Sequence, residues 1–405
     1  MRVAYYSPLP PSRSGVADYS ALLLPALRAR IDVVVASAGR LRRPPKADVA
    51  LYHIGNDPEA HGWIAEALRR RPGVVVLHDF VLHHLVAGLT LARRDPRSYL
   101  DAMEREHGLV GRLLAYAVID NRIPPLWETR PEEFPLSGEL LRLATGLVVH
   151  SRTVEEQARR AGYAGPVWRI PHPAWRVPEL RPATAEGRPL FGAFGNLNES
   201  KRIPQLYAAF ARLRTVRPDA RLLAVGSPSP RIAALPAPPG VARQDYVDEE
   251  RLWSLMAACD ACISLRSPTM GETSGSVIRA LSLGKPVVVS DVGWFSELPG
   301  EVALKIPVDE HEVETLAAEL ERLASDDGLR ARMGEAARAL ATSEHDLDRV
   351  ADLYVAALEE AAGGEVVRES VLHEVATAAA EIGIRPEDPE TTELARRLDE
   401  VGLGH

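Results

Sequence analysis

Short runs of apolar, β-branched residues alternate along the chain with stretches whose apolar positions recur every three or four residues. The runs predict strands at Arg2–Ser7, Ile31–Ala36, Val49–Ile54, Val74–His78, Leu147–His150 and Val167–Ile170. Helical spacing falls between them, at Val16–Arg30, Pro58–Arg70 and Thr153–Ala161, with Thr153 and Glu156 spaced as a capping box. Residues 97–120 predict a longer helical insertion. Such alternation argues for parallel strands joined by right-handed crossovers.

The stretch Pro171–Pro189 is polar and Pro-rich, offers no core element and reads as an interdomain linker. The pattern then begins again. Strands are expected at Leu190–Phe194, Arg221–Val225, Ala261–Leu265, Val287–Ser290 and Val302–Ile306. Helices are expected at Arg202–Arg217, Glu249–Ala258, Ser276–Leu283 and Glu310–Ala324. Residues 344–362 form an amphipathic helix, and Gly363-Gly364 breaks it. The tail 363–405 carries 4 Arg against 10 acidic residues and has two helical patches. The expected organisation is a first domain over 1–175, a second over 188–343, the helix 344–362 returning to the first, and an acidic helical tail.

At 405 residues the chain suits two domains rather than one core. Its 46% hydrophobic and 26% charged content is that of a globular protein, and no run of eighteen apolar residues exists to span a membrane. The opening MRVAYYSPLP lacks the apolar run of a signal peptide, so a cytoplasmic protein is expected. Net charge is −8, but residues 1–180 carry 24 basic against 19 acidic groups. That mild excess admits a weak peripheral contact at the inner face of a membrane or ordinary solvated surface. Dispersed basic residues and few aromatics argue against nucleic acid. Cys259 and Cys262 have no second pair or nearby His to complete a zinc site and read as buried small hydrophobes; no metal is expected.

In open α/β sheets ligands bind at the carboxyl ends of strands, where helix N-termini aim backbone N–H groups outward. Four such corners stand out. Ser7–Gly15 leads into the first helix, with Gly15 allowing close backbone approach and Arg13 adding a cation. His78-Asp79 follows the strand GVVVL, and His78 is the favoured site residue over His83 and His84, which read as packing or surface groups. Gly192–Lys201 closes a strand and opens a helix; Lys201 in a first helical turn is disfavoured by the dipole unless an anion binds there or the side chain is simply solvated. Ser267–Pro286 combines a strand end, a Gly/Ser/Thr loop and a helix start, so the N–H groups of Ser274, Gly275 and Ser276 form an anion nest. Glu272 and Thr273 precede the nest, where they can cap the helix and meet a ligand at once.

With these residues in view the chain resembles glycosyltransferase family 4, whose members have the GT-B fold: two Rossmann-like domains with parallel sheets facing a central cleft. The likeness spans roughly residues 1–362 in layout and is most specific over 192–299. FGAFGNLNESKRI resembles the family's strand–Gly–Arg–Lys segment, and SLRSPTMGETSGSVIRALSLGKPVVVSDVGWFSELP resembles its donor segment. The resemblance implies transfer of a sugar from a nucleotide diphosphate sugar, a co-substrate rather than a cofactor, with retention of configuration and no metal. It implies Lys201 and the Ser274–Ser276 amides on the diphosphate, Glu272 on the donor sugar and His78 beside the reacting sugar. Gly15, Asn196, Thr273 and Arg279 join the donor set, and Arg13, Asp18 and Asp79 the acceptor side. The sequence departs from the family in having Asn196 where an Arg is usual, and Gly271 and Arg279 where two Glu are usual. Arg279 is therefore a candidate to replace the charge missing at Asn196. A non-catalytic nucleotide-sugar-binding member is the main alternative; cell-envelope polysaccharide, glycolipid and natural-product acceptors stay open. The absence of a GxGxxG turn argues against a nicotinamide-dependent dehydrogenase.

Overall fold

The computed structural model describes residues 1–40, 44–183 and 187–400, so the last five residues of the tail lie outside it. The chain divides into two compact units. The first comprises Met1–Thr129, Glu133–Ile170 and Ala351–His405; the second comprises Arg130–Glu132 and Pro171–Val350.

In the first unit, strands β1 (Arg2–Tyr6), β2 (Asp32–Val35), β3 (Val49–Ile54), β4 (Gly73–Leu77), β5 (Ala144–Val149) and β6 (Val167–Arg169) form one parallel sheet in the order β2-β1-β3-β4-β5-β6. Each residue of β3 and β4 is buried, as expected of strands covered on both faces. Ala4, Tyr6, Tyr52, Ile54, Val75, Leu77, Leu147 and Val149 pack with Ile64 and Leu68 of the helix Pro58–Arg70. That helix opens on Asp57, whose side chain accepts from Glu59 N and Ala60 N. The helix after β5 runs over Arg152–Arg160, and its cap is Ser151, whose hydroxyl accepts from Val154 N. The capping-box reading at Thr153 is thus corrected by two residues: Thr153 already lies inside the first turn. The insertion is a pair of helical segments over Pro96–Ile119, broken at Gly108, whose φ of +61° combined with ψ of −157° is essentially confined to glycine. Beyond the break, Leu109, Val110, Leu113 and Tyr116 are exposed.

In the second unit, β7 (Leu190–Phe194), β8 (Arg221–Val225), β9 (Val241–Gln244), β10 (Ala261–Ser264), β11 (Val287–Ser290) and β12 (Ala303–Ile306) form a second six-stranded parallel sheet in the order β12-β11-β10-β7-β8-β9. The order reverses between β7 and β10, the topological switch point at which open α/β sheets bind ligands. The polar stretch from Pro171 packs on this unit's core through Ala174 and Trp175, and residues 184–186 of it are outside the described set. Cys259 and Cys262 are buried and unpaired, and burial pushes both thiols up, Cys262 to about 12.

The helix Leu347–Ala362 starts in the second unit and ends in the first. Tyr354, fully buried, meets the equally enclosed Tyr19, hydroxyl to hydroxyl at 2.6 Å. Asp352 pairs with Arg30 at 2.6 Å, and Glu360 accepts from Trp168 Nε1 at 2.8 Å. Helices Glu365–Glu381 and Pro389–Glu400 follow. No helix among the described residues is long and apolar enough to cross a membrane.

Candidate active site

The second unit gathers its polar groups where β7 and β10 end. Beyond β7 the chain turns at Gly195, with φ of +94°, then passes through Asn196 to a short 3₁₀ turn, Glu199–Lys201. Lys201 Nζ reaches back to donate to the carbonyl of Phe194 at 2.6 Å. A Cβ at Gly195 would lie 2.8 Å from that nitrogen, so the glycine makes room for the ammonium. Lys201 does not occupy a first helical turn, as its spacing suggested. Arg202, left-handed at φ +55°, separates it from the helix Ile203–Val216. The dipole argument for an anion is therefore replaced by a direct one: Lys201 sits at the switch point, with its pKa pushed down to about 7 by burial and by Arg266, against the pull of Glu272.

Arg266, two residues past β10, went unnoticed in the sequence. Its Nε lies 2.5 Å from Glu272 Oε1, and its Nη1 donates to Ser200 Oγ at 3.1 Å. The other carboxylate oxygen of Glu272 accepts from Thr269 Oγ1 at 2.9 Å and Met270 N at 2.7 Å. Glu272 thus folds its own loop together. The helix Gly275–Ser282 begins at Ser274, whose hydroxyl accepts from Val277 N and lies 3.0 Å from Ser276 Oγ. The buried Thr273 hydroxyl oxygen has no hydrogen-bond partner. Asn196 is exposed.

Arg279 lies one turn into the helix Gly275–Ser282. Its buried guanidinium stacks 3.7 Å from the Trp175 ring centroid and lies 3.5 Å from Glu249. Trp175, Trp253 and Glu249 line a cleft of about 940 Å³. The same guanidinium stays near the helix start, its Nη1 3.5 Å from where a Cβ on Gly275 would lie.

In the first unit the strand ends bring together a cluster of histidines. His78, just past β4, presents Nε2 to His53 Nδ1 at 3.0 Å, and its ring centroid lies 4.7 Å from that of Tyr19, edge to face, and 5.2 Å from that of His150. His53 is fully enclosed on β3, while His78 keeps 9% exposure. Asp79 accepts from Asn56 N at 2.7 Å, which ties the end of β3 to the end of β4. Gly15 opens the helix Gly15–Arg28 behind the cap Ser14 with nothing within 4 Å of a would-be Cβ; Arg13 and Asp18 are exposed beside it. His83 is a packing residue, its ring nitrogens 2.7 Å from Phe134 O and 2.8 Å from Tyr99 Oη, whereas His84 is exposed. His53 and His150 were not singled out in the sequence; a histidine inside the apolar run VALYHI and another closing LVVH were the available signals. Among the described residues no group of three or more His, Cys, Asp or Glu is arranged to hold a metal ion.

Burial lowers the pKa of His53 well below its ordinary value and takes His61 and His83 down to about 4. The unfolded chain then binds more protons than the fold between about pH 6.5 and 4, so stability falls as pH drops through that window. Thermal unfolding between pH 7.5 and 4.5 should show a declining melting temperature, with a shallower decline in His83→Gln. An identical slope in that variant would mean His83 titrates alike in both states.

Residues 179–340 match the family described as glycosyl transferases group 1. No curated protein sequence is similar enough to match. Among solved structures, Anabaena HepE in complex with UDP-glucose superposes with a TM-score of 0.61 at 16% identity, covering 89% of this chain and 100% of that one. Sucrose-phosphate synthase from Thermosynechococcus elongatus gives 0.59 at 18% identity, over 89% of this chain and 98% of its own. AviGT4, a glycosyltransferase involved in avilamycin A biosynthesis, gives 0.54 at 17% identity, over 90% and 98%. At such identities the likeness is one of fold. The group 1 glycosyl transferase match thus covers most of the second unit, and the two parallel six-stranded sheets share the GT-B-like fold of these structures.

Proposed function

We propose that this protein transfers a sugar from a nucleotide diphosphate sugar to an acceptor hydroxyl of a glycan, glycolipid or small molecule, with retention at the anomeric carbon. The observation that carries the reading is Lys201, held over Gly195 at the β7–β10 switch point and within electrostatic reach of Arg266 and Glu272 in the loop after β10. In this reading the second unit binds the donor. Lys201 and the Ser274, Gly275 and Ser276 N–H groups meet the diphosphate as negative charge develops on it, so that no metal is needed. Thr273, with its unpartnered hydroxyl, faces the same group. The first unit takes the acceptor, with His78 at the reacting sugar and Asp79, Asp18 and Arg13 around the acceptor. UDP is a first donor nucleotide to try, since the Anabaena structure carries UDP-glucose.

A second reading is favoured by one observation: both carboxylate oxygens of Glu272 are engaged inside its own loop. On that reading the protein binds a nucleotide sugar without consuming it. Thermal shift against a panel of nucleoside diphosphates and their sugars, without divalent metal, tests both. Stabilisation by one nucleoside diphosphate, followed by its release from the matching sugar donor, is the expected result. Stabilisation without turnover would favour the binding protein, and no shift with any of them would overturn both.

A further inference from the structure

We infer that Arg266 is the second cation of the diphosphate site, standing in from β10 for the charge that the β7 loop lacks at Asn196. The inference rests on the donor reading above and adds a residue to it. Strands β7 and β10 are hydrogen-bonded neighbours, with Ile263 opposite Ala193. Past the strand ends Ser267 N donates to Ser200 O at 2.8 Å, which sets the neighbouring Arg266 against the turn that carries Lys201, a few residues after Asn196. Both positions then flank the switch point, one neutral and exposed, the other a guanidinium.

The surroundings of Arg266 are those of a held cation rather than a solvated one. Its side chain is 12% exposed and is fixed at two points, Glu272 and Ser200, the second of which lies on the turn that carries Lys201. Arg266 is close enough to Lys201 to disfavour the lysine's charge. One carboxylate, Glu272, faces both, so with Lys201 protonated the three groups leave an excess of one positive charge at a strand end. A diphosphate complements that excess, and a guanidinium can meet two of its oxygens at once. Glu272 then acts as the positioning residue for Arg266, which also explains why its oxygens turn into the loop.

The test uses the full-length protein and a panel of nucleoside diphosphates (UDP, GDP, ADP and TDP) with their parent nucleosides, followed by calorimetry. Arg266→Gln should weaken the best nucleoside diphosphate about 10- to 100-fold, the scale of one lost hydrogen bond to a charged group, while nucleoside affinity holds. Asn196→Arg in that background should restore much of the loss. Because Arg266→Gln leaves Glu272 unpaired, the double variant Arg266→Gln/Glu272→Gln provides a neutral replacement; it should lose diphosphate affinity relative to Glu272→Gln alone. Wild-type diphosphate affinity in these Arg266 variants, or equal losses for nucleoside and nucleoside diphosphate, would overturn the inference and leave the donor reading standing. Failure of the unaltered protein to bind any of the panel would instead overturn the donor reading and the inference with it.

Discussion

Replacing Lys201 with alanine is expected to slow sugar transfer by roughly two orders of magnitude, the usual cost of removing one group that stabilises developing negative charge. The same change should weaken nucleoside diphosphate binding. Its pH signature separates a diphosphate contact from a structural role. With a pKa pushed down to about 7, Lys201 in the free protein is substantially uncharged just above neutrality. A diphosphate beside the amine favours the ammonium, so binding near pH 7.5 should draw a proton from solution. Affinity should correspondingly decline as pH rises above about 7. Calorimetry in two buffers of different ionisation heat measures the uptake, and Lys201→Met should abolish it. Binding without proton uptake in the unaltered protein, or wild-type turnover in Lys201→Ala, would remove Lys201 from the site.

The largest expected effect on stability lies directly behind that lysine. Glu312, 2% exposed at the start of the helix Glu312–Ser325, takes the guanidinium of Arg202, whose Nε is 3.0 and 3.1 Å from its two oxygens. Arg202 is also the left-handed residue that ends the Lys201 turn and leads into the next helix. Glu312→Ala leaves this partly buried guanidinium without its counterion, a change that costs about 3–5 kcal/mol when a buried pair loses one member. Glu312→Gln keeps the volume and an acceptor and should cost less. Urea unfolding followed through a tryptophan of the second unit measures it, since two units need not unfold in one step. A loss below about 1 kcal/mol for the alanine variant would place the pair in the class of solvated surface bridges.

The strands were legible because both sheets are parallel and covered on two faces, so their sequences are almost uninterrupted apolar runs. Arg221–Val225 and Val287–Ser290 end where the run ends. Val241–Gln244 was missed for the converse reason: it is an edge strand whose VARQ sequence is half polar and little buried. The helix Asp327–Ser343 was also overlooked, although it buries Met333, Ala337 and Ala341. At the site, glycine-rich turns and single charged residues near strand ends could be read, but their partners could not. Arg266 looks like any arginine in SLRSP until it is found joined to Glu272 and to Ser200 on the Lys201 turn. Arg279 looks available to a ligand until Trp175, about a hundred residues earlier, is found stacked on it. Lys201 was placed in a helix because nothing in NESKRI announces that Arg202 takes a left-handed conformation.

The partnership of Tyr19 with Tyr354 bears on how the protein is made. The first unit takes its residues from both ends of the chain, and the contact spans 335 positions. A ribosome that has finished Ile170 has supplied six strands of the first sheet but not the helix that covers Tyr19, so the nascent domain carries an open socket while the second unit is synthesised. Every residue of that second unit precedes Ala351. The later-encoded domain can therefore close first, and the earlier one must wait, with Tyr19 uncovered, for the final helices to emerge.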